Sequence, residues 1–232
     1  MTEAEERGLQ HVLTEGFDAA LFPAGFVRVG RKRVWLRSES EISHIVALQK
    51  NRGSFGVQWG LGCPEVAEIR WGITPDPTDV AYAIVTGHTS NIRHPAQAGH
   101  FKPADLGESS TIAAGVRDDM GVVSQWMAPL RTRVELRSYL MENRERVDRR
   151  AFLIPAQYPL KVFTAAALAA VDRDEAACDL VTEAEAEMAR FDSQDNRLQL
   201  ERLRAAADFC GQRHALAGLR RHWGRPPPLE RQ

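Results

Sequence analysis

The chain is poor in the cysteine patterns that mark several classes of small or metal-binding proteins. Its three cysteines, Cys63, Cys178 and Cys210, are far apart and form no C-x-x-C pair. This spacing argues against a zinc ribbon and against a secreted disulfide framework. We therefore expect reduced, mostly buried thiols, as in a cytoplasmic protein.

Long apolar runs are also missing. No segment comes near the roughly 18 consecutive apolar residues of a membrane-spanning helix. The N-terminus, MTEAEERGLQHVL, is acidic and lacks the basic start and apolar run of a signal peptide. We expect no membrane partner and a cytoplasmic location.

The chain has no excess of charge of either sign. Its 30 Lys and Arg residues nearly balance 31 Asp and Glu residues, which gives a net charge of −1. Such a balance provides no overall field to attract a phosphate backbone, so nucleic acid is not the expected partner. The 44% hydrophobic and 26% charged residues are typical of a globular protein.

Complete catalytic signatures are absent as well. Gly60 and Gly62 follow a predicted strand, but Glu65 stands where a dinucleotide-binding loop needs its third glycine. The Ser109-Ser110-Thr111 segment has no G-x-S-x-G pattern around it. The sequence thus favours a non-catalytic protein without a cofactor and leaves enzyme activity open.

What the first half does contain is strong periodicity. Helical spacing predicts a helix over 3–21, which begins with a capping box of Thr2 and Glu5. Large apolar residues alternate with small or polar ones through 55–61, which is typical of a strand with one buried face. Short polar links indicate an antiparallel meander. The predicted strands cover 33–37, 44–50, 55–61 and 80–86.

The second half is predominantly helical in pattern. Helices are predicted within 129–150, over 160–171 and 177–191, and from about 200 to 217. The irregular stretch 87–120 is predicted as a long loop, with a strand near 111–116 as an option. The fold class is therefore α+β, with an N-terminal helix packed on a small antiparallel meander sheet and a helical C-terminal half. We divide it into 1–128, 129–222 and a disordered tail over 223–232, with one combined domain as the alternative.

The order of short motifs resembles a known family. The motifs are Gly25-Phe26, Gly30-Arg31, the aromatic strand at Trp35, Gln49-Lys50-x-Arg52 and Phe55-x-Val57-x-x-Gly60. Over roughly residues 3–62 this pattern resembles the bacterial domain-of-unknown-function family 4304. The resemblance implies a helix on an antiparallel sheet with trailing helices, and it implies no reaction. Some relatives lie near toxin or defence genes, which hints at a protein partner.

Three histidines form one candidate site. His88, His94 and His100 lie six residues apart, and three imidazoles could hold Zn²⁺ with a fourth position open for water. Asp118 or Asp119 could add a carboxylate. This hypothesis describes a metal-dependent hydrolase or nuclease, whereas the alternative interpretation is a polar surface loop.

A second candidate site combines basic, amide and aromatic side chains. Its residues are Arg31, Lys32, Trp35, Gln49 and Arg52. Basic groups beside an indole could contact phosphate and stack on a base, which makes nucleic-acid binding an alternative function. Charged residues that protect strand ends explain the same pattern.

Taken together, these patterns favour a non-catalytic cytoplasmic binding protein of bacterial origin with a protein partner, associated with toxin or defence systems. The oligomeric state is not indicated by the sequence.

Overall fold

The computed structural model describes residues 1–30, 32–38, 41–51, 53–88, 100–145, 158–191 and 193–210. It confirms the α+β class, because an N-terminal helix and an antiparallel sheet precede a helical C-terminal half. The helices are α1 Glu3–His11, α2 Ala19–Leu21, α3 Pro64–Trp71, α4 Ser109–Met127, α5 Arg133–Glu142, α6 Tyr158–Val171, α7 Ala176–Met188 and α8 Gln194–Ala206. The strands are β1 Val27–Arg28, β2 Val34–Arg37, β3 Ser43–Asn51, β4 Ser54–Gly62, β5 Val85–His88 and β6 His100–Phe101.

The N-terminal helix begins at the predicted capping box. Thr2 N donates to Glu5 Oε2 at 2.6 Å, and Glu5 N donates to Thr2 Oγ1 at 3.3 Å. The segment 3–21 is helical throughout, as predicted, but Val12–Asp18 widens into a π-helix between α1 and α2. The spacing of apolar residues identified the helix without indicating this widening.

The sheet is the predicted antiparallel meander. Its strands follow the order β1-β2-β3-β4-β5, and β6 also pairs with β4. One register row runs across four strands through Trp35, Val46, Trp59 and Gly87. Successive side chains along each strand therefore point to opposite faces of the sheet, as the sequence pattern indicated.

One face of β4 forms the wall of the main core. Phe55, Val57, Trp59 and Leu61 are each at most 1% exposed. The indoles of Trp59 and Trp126 lie 4.8 Å apart, so α4 covers this wall. The predicted apolar face is thus confirmed as a buried one.

Two predictions between residues 80 and 120 are wrong. Val80–Tyr82 is a 3-10 turn, not strand, because the Asp79 side chain accepts a hydrogen bond from Ala81 N at 3.0 Å. The long loop predicted for 87–120, with its optional strand at 111–116, is wrong because β6 and the first part of helix α4 lie within this stretch. The residues that α4 buries recur at helical spacing, and they include Ala113, Val116, Met120, Val123 and Met127.

The helical second half is confirmed as far as residue 210. Helices α5 to α7 occur close to their predicted positions, whereas α8 covers Gln194–Ala206 instead of about 200–217. Residues beyond 210, including the 223–232 tail, lie outside the described residues. One buried cluster joins residues from before and after position 128, such as Trp59 and Phe163. The domain boundary at 128/129 stays a prediction.

The expectation of reduced thiols is wrong for two of the three cysteines. Cys178 of α7 and Cys210, which follows α8, form a disulfide with their Cα atoms 5.5 Å apart. They meet because α7 and α8 pack against each other, which their separation of 32 residues does not reveal. Cys63 is free and buried, as predicted. Disulfides are typical of oxidising compartments, so the cytoplasmic location stays a prediction.

In the described part of the chain, no helix combines the length and the apolar character needed to cross a bilayer.

Candidate binding site

A cleft of about 300 Å³ opens between the C-terminal end of α3 and one side of α8. The α8 residues that line this cleft are three and four positions apart, and this spacing places their side chains on one face of the helix. We call this the α3–α8 cleft. It is lined by Arg70, Trp71, Asp195, Leu198, Gln199 and Arg202.

Helix α3 ends at a glycine that allows α8 to approach its backbone. Gly72 has a φ of 71°, the left-handed conformation typical of a residue that terminates a helix. A Cβ at this position would lie 2.7 Å from Cζ of Arg202. Glycine therefore leaves room for the Arg202 guanidinium, whose Nη1 donates to the carbonyl oxygen of Arg70 at 3.2 Å.

Arg70 is held by its neighbours without a carboxylate. Its guanidinium carbon lies 4.6 Å from the ring centroid of Trp71, and its Nη1 donates to the carbonyl of Ile84 at 3.3 Å. Burial lowers the pKa of the Arg70 guanidinium, which remains charged at physiological pH. The group is thus a partly desolvated cation that rests on an aromatic face.

Both arginines keep unused donors. A guanidinium carries five N–H groups. Within the described residues, Arg70 and Arg202 each donate one side-chain hydrogen bond, and neither forms an ion pair. The remaining N–H groups of the cleft are available to an acceptor from outside the chain.

Apolar side chains border these cations. Leu198 of α8, which lines the cleft, is 40% exposed. Trp71 is half-buried and meets the ring of Tyr82 edge to face at 5.7 Å. Tryptophan and arginine are the residue types most enriched among energetically dominant residues of protein interfaces.

An unpartnered acceptor also belongs to the cleft. Gln199 Oε1 is buried and has no hydrogen-bond partner among the described residues. An unsatisfied buried acceptor costs a protein about 1–3 kcal/mol. The packing of the chain on itself does not account for this polar group.

Of the predicted binding residues, the structure brings Lys32 and Gln49 together. Both line a cavity of about 250 Å³ near the ends of β2 and β3, which is also lined by Asp76. Lys32 Nζ donates to Thr78 Oγ1 at 3.1 Å and to Asp76 Oδ2 at 3.3 Å. Hydrogen bonds from Thr78, and then from Lys32, lower the pKa of Asp76 to about 2. The charge of Lys32 is thus balanced within the chain.

Trp35 lies on the opposite, inner face of the sheet. It is fully buried, stacks on Phe17 with ring centroids 4.4 Å apart and donates from Nε1 to Asp18 Oδ1 at 2.6 Å. Its ring is therefore not accessible to a nucleic-acid base. Arg31 and Arg52 lie outside the described residues.

Two of the three histidine candidates lie on strands β5 and β6, which both pair with β4. His88 of β5 is opposite Gln58, and His100 of β6 is opposite Gly56, so their backbones occupy positions two apart along β4. His94 lies outside the described residues. Among the residues that are described, no three His, Cys, Asp or Glu side chains form a cluster suited to a metal ion.

Asp118 and Asp119, the two aspartates predicted as additional metal ligands, do not face the same direction. Asp118 is exposed on α4, whereas Asp119 is 2% exposed. Adjacent residues of a helix do not face the same direction. The pair therefore does not present two carboxylates to one site.

Cys63 is the free thiol of the described chain, and its surroundings suppress nucleophilic chemistry. Burial raises its pKa to about 12. Its Sγ donates to Glu65 Oε2 at 3.3 Å. The thiol is therefore protonated at neutral pH, whereas nucleophilic attack requires the thiolate.

Sequence reasoning missed the α3–α8 cleft. Pro64 in the first turn and Gly72 after the last residue are the usual boundaries of a short helix, and they could have identified α3. No local pattern indicates that Arg202 reaches Arg70, because 132 residues separate them.

Comparison with protein families, curated proteins and solved structures finds no match to this chain. The resemblance to family 4304 accordingly stays a prediction.

Proposed function

We propose that the chain is a non-catalytic binding protein that contacts a protein partner through the α3–α8 cleft. The observation that carries this proposal is the pair of guanidiniums, Arg70 and Arg202, which have no carboxylate partner in the described chain and lie beside Trp71. By contrast, Arg133, Arg137 and Arg204 of the helical half each form an ion pair with a carboxylate. Arg70 and Arg202 differ from these arginines because they form no ion pair within the described residues.

A protein partner suits this surface better than a small molecule. Small-molecule sites enclose most of their ligand, whereas the apolar residue Leu198, which lines the cleft, is 40% exposed. Tryptophan and arginine beside an exposed apolar side chain are typical of the centre of a protein interface. The predicted association with toxin or defence genes makes a neighbouring gene product the first partner to test.

Position-specific photo-crosslinking in the native host tests the proposal. A photoreactive residue at Leu198 should capture one protein that is not captured from Val122, an exposed residue of α4 outside the cleft. Capture of the same proteins from both positions would contradict the proposal. An added Arg202→Ala substitution should reduce capture from position 198.

A metal site at the sheet edge is a second candidate function, favoured by the backbone register. Because β5 and β6 both pair with β4, His88 and His100 return to neighbouring positions after the intervening segment. Purified protein should then contain stoichiometric Zn²⁺ that His94→Ala releases, and its absence from metal-supplemented preparations would contradict this candidate.

A further inference from the structure

The α3–α8 cleft has a charge balance that selects among anions. It contains two guanidiniums, from Arg70 and Arg202, and one carboxylate, from Asp195. Counted on these three side chains, its formal charge is +1. A singly charged carboxylate compensates this charge, whereas a phosphate group carries about −1.5 to −2 and would meet Asp195 with excess negative charge.

The shape of the donor groups also matches a carboxylate. Arginine presents parallel N–H groups that can bind both oxygens of one carboxylate. Arg70 and Arg202 each have unused N–H groups within the described chain. Partial burial of Arg70 favours a bound anion further, since an opposite charge offsets the cost of desolvating the cation.

The other lining residues require more than an isolated carboxylate. Gln199 Oε1 needs a hydrogen-bond donor, which a peptide N–H supplies. Trp71 and Leu198 offer apolar contact beside the charged groups. A peptide segment carries all three features together: a side-chain carboxylate, backbone donors and apolar neighbours.

We infer that the α3–α8 cleft binds an acidic side chain, Asp or Glu, within an extended peptide segment of the protein partner. This inference rests on the proposed function, and it adds the chemical identity of the partner's anchoring group. The carboxylate binds to the free N–H groups of Arg70 and Arg202, and a backbone N–H of the segment donates to Gln199.

Selection from a random peptide library displayed on phage provides the test, because it presupposes no flanking sequence. Peptides selected on the intact chain should share an Asp or Glu next to an apolar residue. Replacing that residue by Asn or Gln, or introducing Arg202→Ala in the protein, should weaken binding by at least about tenfold, or roughly 1.4 kcal/mol. The matched control Arg190→Ala removes an exposed arginine outside the cleft and should leave the affinity unchanged.

Two further measurements separate binding from folding and from unspecific anion attraction. Gln199→Leu should weaken peptide binding without lowering the melting temperature, because it removes a buried acceptor that has no partner in the described chain. Inorganic phosphate should compete poorly with the acidic peptides.

Selection of peptides without an acidic residue, equal binding to Arg202→Ala, or efficient competition by phosphate would each overturn the inference. Selection in which the free C-terminal carboxylate is the required group would overturn it as well. If crosslinking from position 198 still captures one partner in that case, the proposed function stands and only the anchoring group is wrong.

Discussion

Trp59→Ala is expected to lower the free energy of unfolding by about 4 kcal/mol, within the range measured for removing large aromatic residues from protein cores. Trp59 is fully buried at the centre of β4, and its ring lies 4.8 Å from that of Trp126. A Cβ on Gly87 would lie only 2.0 Å from Cζ2 of Trp59, so the indole occupies the space above this glycine. Alanine would leave a cavity between the sheet and α4 that neither side can fill without moving.

Urea unfolding of the variant measures this loss. Val122→Ala on α4 is the matched control, because Val122 is 41% exposed and should change stability by no more than about 0.5 kcal/mol. A loss below about 1 kcal/mol for Trp59→Ala would show that the alternating face of β4 does not form the core.

Lowering the pH from 7 to 4 is expected to remove about 3 kcal/mol of stability through His44 alone. His44 is 1% exposed and links β3 to the turn between α4 and α5. Its Nδ1 accepts from Arg37 Nε at 3.1 Å, so its protonated Nε2 donates to the carbonyl of Leu130 at 2.8 Å. Burial lowers its pKa from 6.5 to about 4, with a smaller contribution from the charge of Arg37.

The direction of the pH effect follows from the lowered pKa. The unfolded chain protonates His44 near pH 6.5, whereas the folded chain resists protonation until about pH 4. The stabilisation is therefore complete above pH 6.5 and is lost as the pH falls toward 4. Thermal unfolding across this interval should show it.

His44→Gln is the variant that isolates the effect. A glutamine side chain can accept from Arg37 and donate to Leu130 but does not titrate. The variant should lose stability less steeply than the parent between pH 6.5 and 4. Identical slopes for the two proteins would exclude His44 as the source.

The parts of the fold that could be predicted from sequence are those with a regular period. The two-residue alternation through Phe55 and Trp59 identified the sheet and its buried face. The capping box at Thr2 identified the start of the first helix. Periodicity failed at Val80–Tyr82, where an aspartate cap closes a 3-10 turn within an apolar run.

The candidate site was less accessible to such reasoning because long-range packing creates it. Arg202 is an ordinary surface residue by its helical position, and its role arises only where α8 meets the end of α3. The disulfide between Cys178 and Cys210 has the same origin in helix packing. Conversely, Trp35 fits a basic and aromatic sequence pattern that is typical of nucleic-acid binding, but the register of β2 places its side chain inside the core.

The most direct test of binding through the α3–α8 cleft is the equilibrium affinity of the partner captured from position 198. Titration calorimetry measures this affinity for the parent chain, Arg202→Ala and Arg190→Ala. Binding through this cleft predicts that Arg202→Ala weakens the affinity at least about tenfold, which corresponds to about 1.4 kcal/mol. It predicts that Arg190→Ala, which removes an equally charged but 68% exposed side chain outside the cleft, binds like the parent. Equal affinities for all three forms would contradict the claim that the α3–α8 cleft is the binding surface.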